Sequence, residues 1–150
     1  MIDEVVIEHA RRVVEAGRAK GVRIATAESC TGGLVAAALT AVEGSSLVVE
    51  RGFVTYSNMS KTEMLGVPSE LIEMYGAVSE PVALEMALGA LRHSKAHLAI
   101  SITGIAGPGG GTLTKPIGLV HFGLATSTDN GHHRMEFGSL ERSRVREKAL

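Results

Sequence analysis

The chain has 150 residues, of which 21% are charged, and a formal net charge of −1 at pH 7. This length fits one domain spanning residues 1–150, and a hydrophobic fraction of 45% is typical of a globular protein. The lack of a basic excess argues against nucleic acid as a partner, because a protein that binds the phosphate backbone normally needs one.

The N-terminus and the cysteine content indicate a cytoplasmic protein. Acids and arginines are interspersed in MIDEVVIEHARRVVEAG, so no export signal is expected. No stretch approaches the roughly 18 uninterrupted apolar residues of a membrane span, and no membrane partner is predicted. Cys30 is the single cysteine and forms no internal disulfide, and its small neighbours indicate a buried hydrophobe rather than a reactive thiol.

Helices and strands alternate in the first part of the chain. The spacing of apolar residues predicts an amphipathic helix from residue 3 to about 20, with Asp3 as its N-cap and Gly21 as its stop. RIATA at 23–27 is a predicted strand. After a turn, LVAAALTAV at 34–42 is a predicted helix, nearly all apolar and therefore expected to be buried.

Further elements follow in the middle of the chain. GFVTYSN at 52–58 is a predicted strand, and the next helix runs through Met64 and ends at Gly66. SELIEMY is a short predicted helix. Ser79 is the predicted N-cap of a long helix, because Pro81 is tolerated only in a first turn.

The last part of the chain predicts a buried strand, a loop, a hairpin and a helix. HLAISIT at 97–103 is the strand, GIAGPGGGT is the loop, and DNG at 129–131 is the turn between IGLVHFGLAT and HRMEFG. LERSRVREKAL begins a final helix. This order predicts a three-layer α/β/α sandwich with a mixed, mostly parallel sheet of about five to six strands and an antiparallel edge strand.

Three polar stretches follow predicted strands and are expected to converge on one crevice. They are AESCTGG, TYSNMSK and TGIAGPGGGT. Ligands of open α/β sheets bind beyond the carboxyl ends of the strands, which is where these stretches lie. The crevice is therefore the predicted functional site.

The stretch AESCTGG has two interpretations. Ser29 or Thr31 can cap the following helix by accepting a backbone N–H. Alternatively, Ser29 is a nucleophile, and the adjacent Gly32 and Gly33 let a ligand approach backbone N–H groups that stabilise negative charge. The residues alone leave both interpretations open.

Lys61 is the preferred candidate for the base that a serine nucleophile requires. Its amine must be neutral to accept a proton, which requires burial or nearby positive charge to lower its pKa. Tyr56, five residues earlier, can relay a proton or orient either partner. An exposed helix lysine is the alternative for Lys61. A histidine base is disfavoured, because none of the six histidines lies in the three stretches: His9, His93, His97, His121, His132 and His133.

The glycine loop and the final helix offer ligand-binding groups. The loop can hold a phosphate or ribose through backbone N–H groups, or it is only a flexible connection, and it matches neither the Walker pattern nor GxGxxG. Arg142 and Arg146, one helical turn apart, form a phosphate clamp or an exposed basic helix end. Glu28 and Glu63 are expected to pair with bases, and no spacing predicts a metal site.

Four segments in the same order resemble the CinA C-terminal domain family of nicotinamide-nucleotide amidases. They are TAESCTGG, GFVTYSNMSKTEMLGV, YGAVSEPVA and ITGIAGPGGGTLTKPIGLVHF. The similarity runs from residue 5 to about residue 122. The chain departs from the family near its last helix, where LERSRVR replaces a Gly-Asp-Arg-like motif.

The resemblance implies a stand-alone amidase that hydrolyses nicotinamide mononucleotide to nicotinate mononucleotide and ammonia in pyridine-nucleotide recycling, without a cofactor or metal. It implies catalytic roles for Ser29, Tyr56 and Lys61. The predicted substrate-binding residues are Thr31, Gly32, Gly33, Thr103, Gly104, Gly107, Gly109, Gly110 and Arg142. Backbone N–H groups near Gly32 or Gly104 are candidates for holding the oxyanion.

Two alternatives and an assembly hypothesis accompany this prediction. The same fold can serve as a non-catalytic nucleotide-binding or sensing module, and an amidase of this kind can prefer another substrate, because glycine loops recognise phosphate without specifying the base. Abundant apolar helix faces suggest a homodimer.

Overall fold

Residues 2–150, which the computed structural model describes, form six α-helices and five β-strands. The helices are α1 (Glu4–Lys20), α2 (Leu34–Thr40), α3 (Asn58–Leu65), α4 (Ser69–Tyr75), α5 (Glu80–Arg92) and α6 (Arg142–Lys148). The strands are β1 (Ile24–Glu28), β2 (Val49–Val54), β3 (Leu98–Gly104), β4 (Leu119–Thr126) and β5 (Asn130–Glu136). No helix in this part of the chain is both long and apolar enough to cross a membrane.

The strands form one mixed sheet in the order β2-β1-β3-β4-β5. β1 pairs in parallel with β2 and β3, whereas β4 is antiparallel to both β3 and β5. Side chains of α1, α2 and α6 pack on one face of the sheet, and those of α4 and α5 pack on the other together with Leu65 of α3. The predicted three-layer α/β/α fold, with a parallel centre and an antiparallel edge, is confirmed.

Local signals in the sequence set the ends of the helices that frame the site. The Asp3 carboxylate accepts the Val5 N–H at 2.8 Å, and Gly21 ends α1 with a φ of 64°. The Ser57 hydroxyl accepts the Ser60 N–H at 3.0 Å, which fixes the start of α3. Lys61 therefore lies in the second turn of a well-defined helix.

The second strand begins and ends earlier in the sequence than predicted. β2 is Val49–Val54 rather than 52–58, because Ser57 caps α3 and the backbone leaves the sheet after Thr55, whose N–H still donates to the Glu28 carbonyl of β1. The shift matters for the site, since Thr55 and Tyr56 become a short connection rather than part of a strand.

The structure also differs from the prediction for α2, and it refines the one for α5. α2 ends at Thr40, and only Ala38 and Leu39 of it are buried, because the helix packs mainly through one side against α1, β1 and β2. Ser79 is the N-cap residue of α5, as predicted, but its hydroxyl donates to the Gly76 carbonyl and makes no capping hydrogen bond to the helix.

Close packing between α3 and α5 fixes the position of Lys61. A Cβ atom on Gly89 of α5 would lie 2.1 Å from the Leu65 carbonyl oxygen, so only glycine allows this approach. Leu65 is fully buried and lies one turn after Lys61. The contact holds α3 against the layer of helices that covers the sheet.

Candidate active site

Ser29 and Lys61 meet at the carboxyl end of the parallel strands. Ser29 follows β1 directly, and its N–H donates to the Ile102 carbonyl of β3 at 2.9 Å. The Lys61 side chain extends from α3, and its Nζ lies 3.2 Å from Ser29 Oγ. Both residues are buried, with exposed fractions of 8% for Ser29 and 1% for Lys61. The expected convergence of the first two polar stretches is thus observed.

The surroundings of Lys61 favour its neutral amine. Burial lowers its pKa to about 8, and within residues 2–150 no carboxylate forms an ion pair with Nζ. The amine contacts the carbonyl oxygens of Thr55 at 2.9 Å and Tyr56 at 3.4 Å. A neutral amine has two N–H donors and one lone pair. When both carbonyls accept, the lone pair remains for the Ser29 hydroxyl.

A cavity of about 250 Å³ opens over this pair. Its lining consists of Ser29, Cys30, Tyr56, Asn58, Lys61, Ala77, Val78, Thr103, Gly104, Ala106 and Arg142. The buried Ser29 and Lys61 form the floor, whereas the exposed Tyr56 and Arg142 form the rim. Thr103 Oγ1 donates to the Ala77 carbonyl at 2.9 Å and joins β3 to the segment before α5.

The rim is held together by Arg142. Its Nη1 donates to the Gly107 carbonyl at 2.8 Å, and its Nη2 donates to the Tyr56 hydroxyl at 2.7 Å. The Tyr56 ring is 60% exposed. Lys61 contacts the carbonyl of Tyr56, while the hydroxyl of this tyrosine is bound to Arg142.

Several predicted substrate-binding residues do not line the cavity. Thr31, Gly32 and Gly33 form the turn after Ser29, and Gly107, Gly109 and Gly110 lie in the loop after β3. The Gly32 N–H donates to the Ser29 carbonyl at 3.0 Å, and the Gly33 N–H donates to Glu28 at 3.2 Å. These two donors are already engaged inside the protein.

Glu28 has a structural role that the sequence analysis missed. Its carboxylate is 1% exposed and accepts the backbone N–H groups of Gly33, Val35 and Ala36 at 2.9 to 3.2 Å. The carboxylate therefore caps α2 instead of pairing with a base. The available signal was an acidic residue shortly before a helix that lacks a capping Ser, Thr, Asp or Asn at its start. Because Glu28 caps the helix, the Ser29 hydroxyl remains available for chemistry.

Replacing Glu28 is expected to destabilise the fold. In the Glu28→Ala variant three partly buried N–H groups lose their acceptor, so we expect the free energy of unfolding to fall by about 2 to 3 kcal/mol. Urea unfolding at pH 7 measures the change, with Glu15→Ala on the exposed face of α1 as the control. A loss no larger than that of the control would contradict the capping role.

Other ionisable groups near the cavity are poor nucleophiles or bases. Burial raises the pKa of the Cys30 thiol to about 11, which keeps it protonated at neutral pH. No histidine among the described residues lines the cavity. Between residues 2 and 150, no three His, Cys, Asp or Glu side chains are grouped to hold a metal ion. Ser29 and Lys61 are therefore the candidate reactive groups at the floor.

The comparisons with known proteins agree over nearly the whole chain. The nicotinamide-nucleotide amidohydrolase PncC of Escherichia coli (strain K12) is 49% identical over 149 residues, which are 99% of this chain and 90% of that protein. The solved structure of the competence/damage inducible protein CihA from Agrobacterium tumefaciens has a TM-score of 0.96 and 48% identity, covering 99% of this chain and 90% of that one.

A second solved structure and a family model give the same assignment. The structure of a competence-damaged protein (CinA) superfamily member from Escherichia coli has a TM-score of 0.92 and 37% identity, covering 96% of this chain and 83% of that one. The model of the CinA C-terminal domain matches residues 7–150. These matches confirm the resemblance seen in the sequence, and the chain belongs to the CinA C-terminal domain family.

Proposed function

We propose that this chain is an amidohydrolase that converts nicotinamide mononucleotide and water to nicotinate mononucleotide and ammonia. The observation that carries the proposal is the buried contact of 3.2 Å between Ser29 Oγ and Lys61 Nζ, with burial lowering the pKa of Lys61 to about 8. A relative that is 49% identical over 99% of this chain is named for this substrate and reaction.

In the first half of the proposed reaction, Ser29 Oγ attacks the carboxamide carbon while Lys61 Nζ accepts the hydroxyl proton. The bond between carbon and Oγ forms, and the carbonyl oxygen becomes negatively charged. Lys61 then returns the proton to the amide nitrogen, the C–N bond breaks, and ammonia leaves. The product of this half is an ester between the nicotinate carbonyl and Ser29.

In the second half of the proposed reaction, water hydrolyses the ester. The neutral Lys61 takes a proton from water, and the oxygen of the resulting hydroxide attacks the ester carbon. The bond between this carbon and Ser29 Oγ then breaks as Lys61 returns the proton to the serine. The new carboxyl group gives its remaining proton to solvent, and nicotinate mononucleotide leaves as the carboxylate. The cycle restores Ser29 and Lys61 and needs only the water that hydrolysis consumes.

The shape of the cavity supports entry with the amide end first. Small apolar side chains of Ala77, Val78 and Ala106 suit an aromatic ring, and the reactive pair lies at the buried floor. Arg142 at the rim carries the positive charge that a nucleotide phosphate requires. Thr103 and Gly104 line the cavity and remain proposed substrate contacts.

An ammonia-release assay tests the proposed function directly. We expect the purified chain to release ammonia from nicotinamide mononucleotide, and free nicotinamide and the dinucleotide serve as controls. Release from another pyridine nucleotide only would reassign the substrate. Tight binding of nicotinamide mononucleotide without ammonia from any pyridine nucleotide would instead support a non-catalytic sensing module.

The rate is expected to depend on the protonation of Lys61. Below its pKa of about 8 the amine carries a proton and accepts none, so kcat/KM should rise with pH and level off above this value. Measuring ammonia release between about pH 6 and pH 9.5 tests this dependence. A rate that stays constant across this range would argue against Lys61 as the base.

The location and assembly of the protein remain proposals. The single thiol, Cys30, is buried and free, which is consistent with a cytoplasmic protein. Val54, Met59 and Met64 expose apolar side chains on β2 and α3, and these suggest a surface for a homodimer. Light scattering that gives the mass of one chain would contradict the dimer.

A further inference from the structure

Arg146 binds the turn that follows Ser29, although it lies more than 100 residues away in the sequence. Its Nε donates to the Cys30 carbonyl at 3.1 Å, and its Nη2 donates to the Thr31 carbonyl at 3.2 Å. The side chain is half-buried on α6. The guanidinium thus holds two successive carbonyls next to Ser29, whereas Arg142 on the same helix contacts the cavity rim.

Because of peptide geometry, these contacts to carbonyl groups also set the direction of neighbouring N–H groups. In a trans peptide the C=O and the following N–H point in opposite directions. Fixing the Cys30 carbonyl on Arg146 therefore fixes the direction of the Thr31 N–H. Fixing the Thr31 carbonyl likewise fixes the Gly32 N–H, which donates to the Ser29 carbonyl at 3.0 Å. Because the Ser29 carbonyl and the Cys30 N–H share a peptide, this bond in turn fixes the direction of the Cys30 N–H.

The two N–H groups fixed in this way remain free. Within residues 2–150, neither the Cys30 N–H nor the Thr31 N–H donates to another residue. The Gly32 and Gly33 N–H groups are taken by Ser29 and Glu28. Of these two free donors, only the one on Cys30 belongs to a residue that lines the cavity beside Ser29, so it is the available donor there.

We propose that Arg146 is a positioning residue that, by holding the turn after Ser29, directs the Cys30 N–H toward the oxyanion formed when Ser29 attacks the carboxamide. This inference rests on the proposed function. Donors that are already oriented stabilise a developing negative charge without reorganising during the reaction. Arg146 acts through the backbone and touches no reacting atom.

The test compares Arg146→Met and Arg146→Lys with Arg144→Met. Arg144 lies on the same helix but pairs with Glu147 on the exposed surface, so its replacement is the matched control. For Arg146→Met we expect kcat to fall about 10²-fold. We expect KM to change by less than about threefold, because the lost interaction is made in the transition state. Arg146→Lys keeps the charge without the planar fork, and its kcat is expected to fall about tenfold.

Rescue by a small cation separates positioning from a general loss of structure. Adding millimolar guanidinium to Arg146→Met is expected to restore at least part of kcat, whereas urea at the same concentration is not. The pH midpoint should stay that of the wild type, because Lys61 is unchanged. If Arg146→Met does not fold, Arg146→Lys carries the kcat comparison. A folded variant with the kcat of the wild type would overturn the proposal, and so would a loss confined to KM.

The outcome also distinguishes this inference from the proposed function. If the wild-type chain releases no ammonia from nicotinamide mononucleotide, the proposed function fails before any variant is compared. If the wild type is active and both Arg146 variants are folded and equally active, only the positioning role fails.

Discussion

Ser29→Ala is expected to lower kcat for ammonia release by about 10³-fold or more while the protein stays folded. In the proposed reaction the hydroxyl attacks the amide, and its Oγ lies 3.2 Å from Lys61 Nζ. Its loss should change the free energy of unfolding by less than about 1 kcal/mol, because Glu28, not Ser29, caps α2.

Two measurements check this expectation. Ammonia release from nicotinamide mononucleotide gives kcat, and urea unfolding gives stability, with the exposed Ser69→Ala as the control. A folded Ser29→Ala variant with nearly normal turnover would eliminate the serine mechanism. A large loss of stability would instead show that the hydroxyl has a structural role.

Lys61→Met is expected to abolish turnover and to make the protein at least as stable as the wild type at pH 7. The variant removes the proposed base, so kcat should again fall by about 10³-fold or more. Burial lowers the pKa of Lys61 from 10.5 to about 8, and holding the charged amine in this site costs on the order of 3 kcal/mol. Losing the donor to the Thr55 carbonyl offsets part of this gain.

The cost of burying Lys61 should make the stability of the wild type depend on pH. Between about pH 8 and 10.5 the unfolded chain binds the Lys61 proton and the folded chain does not, so the wild type gains stability as pH rises. Below about pH 8 both states are protonated, and the cost is constant. Urea unfolding at pH 7 and near pH 10 should therefore show that the advantage of Lys61→Met shrinks. An advantage that grows with pH would contradict a lowered pKa.

The convergence of distant residues was predictable because sheet topology dictates it. Parallel strands place their carboxyl ends at one edge, and a hydroxyl after β1, a lysine after β2 and a threonine at the end of β3 meet there. Lys61 was identified because a buried base was required. The resemblance to a known family placed the same three residues together.

Other features depend on where side chains point, and the order of residues in the sequence does not predict this. The Glu28 carboxylate turns toward the N-terminus of α2, and Arg146 reaches back across more than 100 residues to Cys30 and Thr31. The start of β2 was missed because Glu50 and Arg51 make an edge strand look like a polar connection. Each of these features follows only from the packed arrangement.

The order in which the site's residues occur along the chain has a consequence for synthesis on the ribosome. Ser29, Lys61 and Thr103 are translated before Arg142 and Arg146 of α6. These two arginines tie Tyr56 to the glycine loop and hold the turn after Ser29. The nascent polypeptide thus contains Ser29 and Lys61 well before Arg142 and Arg146 can hold the surrounding loops in place. The complete site forms only when α6 packs against the rest of the protein. Until then, the nascent chain carries Ser29 and Lys61 without the contacts that Arg142 and Arg146 make.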